Sequence, residues 1–77
     1  MKTNKYAVKY TVMDHPFQVF FTFAHVENIT ATTTAQQIFE CIVKIVIDQY
    51  AKDNDGRALE ATSLNLDNIF FLDSCTI

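Results

Sequence analysis

The sequence has few of the residues that interrupt regular structure or bind anions. It contains one Gly, one Pro and no Trp among 77 residues, and this composition argues against a disordered or low-complexity segment. Six basic residues stand against nine acidic ones, for a formal net charge of −3. A basic patch that could neutralise phosphates is therefore not expected, and we predict no nucleic-acid partner.

Long hydrophobic runs and a cysteine framework are also missing. The apolar stretch 38–47 is interrupted by Glu40 and Lys44 and is shorter than the ~20 residues that span a bilayer. The first ten residues lack the apolar segment of a secretory signal. Cys41 and Cys75 are too few for the disulfide framework of a small secreted fold. We therefore predict reduced thiols, a cytoplasmic location and no contact with a membrane.

Residues 32–50 are predicted to form one amphipathic helix. Either Thr33 with Gln36 or Thr34 with Gln37 fits a capping box at its start. One stripe of the helix is polar and should face water: Gln37, Glu40, Lys44 and Asp48. The opposite stripe is apolar: Ala35, Ile38, Phe39, Ile42, Ile45 and Val46. Val43, Ile47 and Tyr50 widen the apolar arc to about 200°, roughly twice what docking on a core requires.

The rest of the chain is predicted to form strands and turns. Residues 5–13 alternate between apolar and polar, a turn follows at Asp14–Pro16, and residues 17–26 form the second strand of a hairpin. Residues 69–72 form the last strand, whereas residues 59–66 fit a short strand or a helical turn equally well. The sequence thus predicts a single α+β domain over residues 1–77, with one long helix on a small, mainly antiparallel sheet in the order ββαβ or ββαββ.

Both faces of the second strand are apolar, so the face that meets the helix must be chosen. Its odd positions form a continuous apolar series and are predicted as core: Phe17, Val19, Phe21 and Phe23. Phe20, Val26 and either Phe70 or Phe71 should then lie on a face that the helix does not cover. The alternative is that the C-terminal segment folds back over part of this surface.

No catalytic or metal-binding signature emerges from the sequence. His15 beside Asp14 is predicted to be a solvated turn residue, and His25 a structural histidine near the end of a strand. The segment 53–56 resembles a calcium loop, but Ala51 and Thr62 would occupy positions where acidic ligands are needed. We therefore predict no enzyme activity, no metal and no cofactor.

The surplus of apolar surface suggests a function in binding. We predict a small non-enzymatic protein–protein interaction module that forms a homodimer or docks on another protein through the helix flank and the second sheet face. The predicted partner-binding residues are Phe20, Val43, Ile47, Tyr50 and Phe70. One alternative is a phage or mobile-element inhibitor that binds a host protein. Another is a small enzyme or ligand-binding subunit whose site, using His15, His25 or Asp14, is completed at an oligomer interface.

Overall fold

A computed structural model describes residues 2–13 and 15–76. The fold is α+β, with a single 3-10 turn at Ala61–Ser63 and four main elements: β1 (Lys2–Val12), β2 (His15–Ile29), α1 (Ala35–Asp53) and β3 (Leu64–Thr76). The predicted order of two strands, helix and strand is confirmed. Residues 59–66 contain both predicted alternatives, the helical turn and the beginning of a strand. Asp14, predicted to lie in the hairpin turn, is outside the described residues.

The three strands form one antiparallel sheet in the order β2-β1-β3. β1 is therefore the central strand, and it pairs with β3 along the whole of its own length, from Lys2 to Val12. This pairing explains why β3 has 13 residues where the sequence predicts four. Asn65 and Asn68 have low intrinsic strand propensity, but their pairing with Thr11 and Lys9 of β1 overrides it.

β2 is longer at both ends than predicted. Pro16, predicted to lie in a turn, is part of the strand, which is tolerated because β2 is at the edge of the sheet and a missing N–H removes no bond on the outer side. At the other end, Asn28 has a positive φ of 61°, next to a register shift in the pairing with β1. A bulge at this point lets the strand continue to Ile29, where irregular structure was predicted.

The helix begins and ends where side chains satisfy its free backbone groups. The Thr34 hydroxyl accepts from the Gln37 backbone N–H at 3.2 Å, and the Gln37 side chain accepts from the Thr34 N–H at 2.9 Å. This is one of the two predicted capping boxes. Gly56, with a φ of 79°, donates its N–H to the Ala51 carbonyl at 2.6 Å, so the predicted stop is also confirmed.

The core lies between α1 and one face of the sheet. It consists of nine buried apolar residues: Val8, Tyr10, Val12, Ala24, Val26, Ile29, Ile42, Val46 and Tyr50. Ile42, Val46 and Tyr50 follow one another at four-residue intervals, so they form a single stripe of the helix. Tyr50 is only 3% exposed, and its predicted position on a free helix flank is therefore wrong. Compared with the prediction, the buried side of α1 is rotated so that it includes Tyr50. The helix lies closest to β2.

The predicted choice of face in β2 is wrong. The residues predicted as core are exposed: Phe17 99%, Val19 46%, Phe21 69% and Phe23 60%. Phe20 instead packs against the core, stacked on Tyr10 with ring centroids 5.2 Å apart. The register decides this, because Tyr10 pairs with Phe20 and Lys9 with Phe21. A shift of one residue exchanges the two faces of a strand, and hydrophobicity cannot fix the register when both faces are apolar.

The Tyr10 hydroxyl gives the fold a dependence on alkaline pH. Burial, and secondarily the Asp53 carboxylate, raise the pKa of Tyr10 above its ordinary value of 10.0. Above pH 10 the unfolded chain loses this proton while the folded chain still holds it, so stability falls as pH rises towards the folded-state pKa, by at most about 1.4 kcal/mol per pH unit. Urea titrations from pH 8 to 11 should show this decline and a shallower one in Tyr10→Phe. Equal slopes would contradict the prediction.

Candidate functional site

One face of the sheet has no covering layer within the described residues. α1 packs on the face that carries the even-numbered residues of β1, and the odd-numbered residues point the other way. We call this second surface the open face and define it by nine residues: Lys5, Ala7 and Lys9 of β1, Phe21, Phe23 and His25 of β2, and Asn68, Phe70 and Asp73 of β3.

The register arranges the open face in three cross-strand rows. Ala7 lies between Phe23 and Phe70 in the middle row, and these two rings are 60% and 49% exposed. Because neighbouring strands are about 4.8 Å apart, the two rings flank a recess above the Ala7 methyl group. Lys5 lies in the next row, with its Nζ 4.9 Å from the centroid of the Phe23 ring. This contact is a cation–π interaction.

The other two rows carry the polar groups of the open face. His25, Lys5 and Asp73 form one row, which has a charge of each sign, and Phe21, Lys9 and Asn68 form the other. An apolar centre between polar rows matches the layout of protein–protein interfaces, in which a dry core is surrounded by a polar rim.

Phe70 is the predicted partner-binding residue that lies on the open face. The sequence left Phe70 and Phe71 as alternatives, and their pairing resolves the choice: Phe70 lies opposite Ala7, and Phe71 lies opposite Tyr6 on the helix side. There the Phe71 ring meets the Tyr6 ring edge to face at 5.8 Å. Phe20, predicted for the same surface as Phe70, lies on the helix side too and packs edge to face on Tyr50 at 5.9 Å.

Val43 and Ile47 line a groove between α1 and β3. Because the helix lies closest to β2, it leaves part of β3 uncovered. The helix–β3 groove, as we call it, has a volume of about 680 Å³ and is lined mainly by apolar residues: Phe39, Val43, Ile47, Ala61, Leu64 and Leu66. Glu40 and Lys44 stand at its rim. The predicted apolar helix flank is thus half-buried in this groove.

The two edges of the sheet differ as sites for adding another strand. Near the β2 edge, a depression of about 370 Å³ is lined by Ala7 of β1, by Phe21, Thr22 and Phe23 of β2, and by Gln49 and Asp53 of α1. In β3, Asp67 and Leu72 are extra residues at two register shifts against β1. Bulges of this kind twist an edge strand and hinder pairing with another chain.

Of the residues considered for catalysis, the structure describes the side chain of His25, and this side chain does not lie in an enclosed site. His25, Glu27, Cys41 and Lys44 line a shallow depression of about 250 Å³ beside β2. Lys44 is a basic neighbour of Cys41 that the sequence did not predict, yet the thiol is free and exposed, whereas reactive sites are normally concave and sheltered. The side chain of His15 lies outside the described part of the chain, as does Asp14. Over residues 2–13 and 15–76, no three His, Cys, Asp or Glu side chains gather as metal ligands would.

The sequence missed the open-face residues because it assigned the wrong face of β2 to the core. Lys5, Ala7, Phe21 and Phe23 meet only through the strand register, which no local pattern encodes when both faces are apolar. The one available signal was the pair of lysines, Lys5 and Lys9, since they mark the outer face of β1. None of the described helices is long and apolar enough to cross a membrane. Comparison with protein-family models, curated proteins and solved structures gives no match to this chain.

Proposed function

We propose that this chain is a non-enzymatic protein-interaction module whose main contact surface is the open face. The observation that carries the proposal is the joint exposure of Phe21, Phe23 and Phe70, at 69%, 60% and 49%. With about 200 Å² per phenylalanine, the three rings present about 350 Å² of apolar surface. The largest apolar patch on a typical monomer covers about 300–600 Å² and is often functional, so this patch is a candidate contact site. The helix–β3 groove offers a second apolar surface on the other side of the sheet.

A protein partner suits the charges of the open face better than a nucleic acid. Aromatic rings beside lysines can stack on the bases of a single strand. However, Lys5 and Lys9 share the face with Asp73, and the chain has a net charge of −3. Binding to phosphates depends on many neutralising cations. The free, exposed thiols of Cys41 and Cys75 suit a reducing, cytoplasmic compartment.

Photo-crosslinking in the cell that produces the chain tests this proposal. A photoreactive benzophenone amino acid replaces Phe21, which is 69% exposed and therefore tolerates the change. Irradiation should give a discrete adduct that protease removes and nuclease leaves intact. The matched control carries the same group at Asp48, an exposed position on the polar stripe of α1, and should give no such adduct.

Three results would contradict the proposal. A nuclease-sensitive adduct at position 21 would identify a nucleic acid as the ligand. Equal, diffuse labelling from positions 21 and 48 would show that the open face has no preferred protein partner. A protease-sensitive adduct from position 48 alone would show that the partner binds the outer side of α1 and not the open face.

A further inference from the structure

We infer that the occupant of the open face is a second copy of this chain, packed face to face about a two-fold axis parallel to β1. The inference rests on the proposed function and specifies its partner. The β3 edge of the sheet is unfavourable for pairing, since β3 is bulged at Asp67 and Leu72. Sheet-on-sheet packing needs neither edge, only two apolar faces about 10 Å apart.

This symmetry brings the apolar centres of the two faces together. A two-fold axis along β1 lays β2 of one copy over β3 of the other, because β2 and β3 are on opposite sides of β1. Phe23 then lies over Phe70 of the second copy, and Phe70 lies over its Phe23. Ala7 falls on the axis in both copies. The small Ala7 side chains leave space at the axis, and the Phe23 and Phe70 rings of both copies can pack into this space. Each open face thus provides both the recess and the rings that fill it.

The same symmetry pairs unlike polar groups. His25 and Asp73 are at opposite ends of one row, so each His25 meets Asp73 of the second copy, and the pair occurs twice. The imidazole can donate a hydrogen bond to the carboxylate. The axis also brings the two Lys5 side chains towards one another, and likewise the two Lys9 side chains. Each Lys5 has Asp73 as its cross-strand neighbour, and its ammonium group must turn from the Phe23 ring towards that carboxylate for Phe70 of the second copy to reach the ring. Phe21 lies over Asn68 at the opposite rim.

The open face supplies a substantial part of the area that a stable dimer needs. A standard interface buries about 800 Å² on each partner, and the three phenylalanines alone supply about 350 Å², a little less than half of it. The stems of Lys5 and Lys9, together with Ala7 and the polar rim, add to this. Aliphatic lysine stems pack on apolar surface while their charged ends remain in water.

Ala7→Trp separates this specific dimer from non-specific hydrophobic association. Light scattering over a range of concentrations should give twice the chain mass of 8.8 kDa for the unmodified protein. The substitution adds apolar surface, but it also places one indole ring from each copy in the recess at the axis, where the two rings clash. The dissociation constant of the dimer should therefore rise at least about tenfold. Gln36→Trp, at an exposed position on α1, is the matched control and should remain dimeric. Unchanged or stronger association of Ala7→Trp would overturn the inferred packing.

Exchanging the rim charges provides a second test that leaves the recess intact. His25→Asp places two carboxylates opposite each other, and Asp73→Lys places a lysine opposite His25, so each variant alone should dimerise several-fold more weakly. Mixing the two variants restores an unlike pair at both rim contacts. A heterodimer should therefore form about fivefold or more in excess over either homodimer. A statistical mixture of dimers would contradict the two-fold arrangement.

The outcomes distinguish this inference from the proposed function beneath it. A chain that is monomeric at every concentration overturns the second copy as the occupant. If crosslinking at Phe21 then yields an adduct with a different protein, the interaction function still stands with that protein as partner. If the chain is monomeric and crosslinking gives no protein adduct, both proposals fail.

Discussion

Val46→Asp is expected to abolish the cooperative unfolding transition. Val46 is fully buried in the centre of the stripe that α1 packs on the sheet. An unpaired carboxylate at such a position costs several kcal/mol. A chain of 77 residues has a total stability of only about 4–11 kcal/mol on the usual scale per residue. Circular dichroism during urea titration should therefore show little folded protein at any urea concentration.

Ile47→Asp is the matched control for the substitution of Val46. Ile47 is adjacent in sequence, but its side chain is half-buried in the helix–β3 groove, where a carboxylate can reach water. We expect a loss of about 1–2 kcal/mol and a cooperative transition. If both variants unfold alike, the groove is part of the core; if both remain folded, α1 does not dock through the stripe that contains Val46.

Phe20→Ala is expected to lower the free energy of unfolding of the monomer by about 2–3 kcal/mol. A fully buried phenylalanine would cost about 3–5 kcal/mol, and Phe20 is only partly buried against the core. The truncation removes the stacked contact with Tyr10 and the edge-to-face contact with Tyr50. These two ring pairs join β2, β1 and α1, so their loss weakens all three elements together.

Phe21→Ala is the companion measurement, and the expected loss is about 0.5 kcal/mol or less. Phe21 is 69% exposed on the open face, and exposed positions of this kind seldom contribute more. The comparison must be made at concentrations low enough to avoid self-association, because a dimer would give Phe21 an additional role. A larger loss for Phe21 than for Phe20 would show that the register of β1 and β2 is displaced by one residue.

The sequence predicted the helix more accurately than the sheet, and the reason is physical. Helix limits depend on local hydrogen bonds, such as the capping box of Thr34 and Gln37 and the backbone bond from Gly56 to Ala51. These bonds join residues three to five positions apart, so a short stretch of sequence contains both partners. The predicted range of 32–50 is displaced by three residues at each end, since α1 begins at Ala35 and ends at Asp53.

Strand faces and strand lengths depend on contacts that are remote in sequence. Val8 and Tyr10 alternate with polar residues in β1, and both are buried. In β2, Phe20 and Phe21 are equally apolar, and only their pairing with Tyr10 and Lys9 determines which one meets the helix. Phe70 was placed on the correct side, whereas Phe20 and Tyr50 were predicted as partner-binding residues and lie inside. The open face was therefore predicted as a feature of the fold but with the wrong residues of β2.

The pairing of β1 with β3 also determines the order in which this protein can fold. Every residue of β1 on that side has a partner roughly fifty to seventy-five positions away along the chain, so these contacts close long loops and form slowly. During synthesis, β1 and β2 emerge well before β3. The hairpin then carries a bare strand edge beside the exposed rings of Phe21 and Phe23, a combination that favours aggregation. Chaperones that bind nascent apolar segments should therefore engage this chain until β3 has been released.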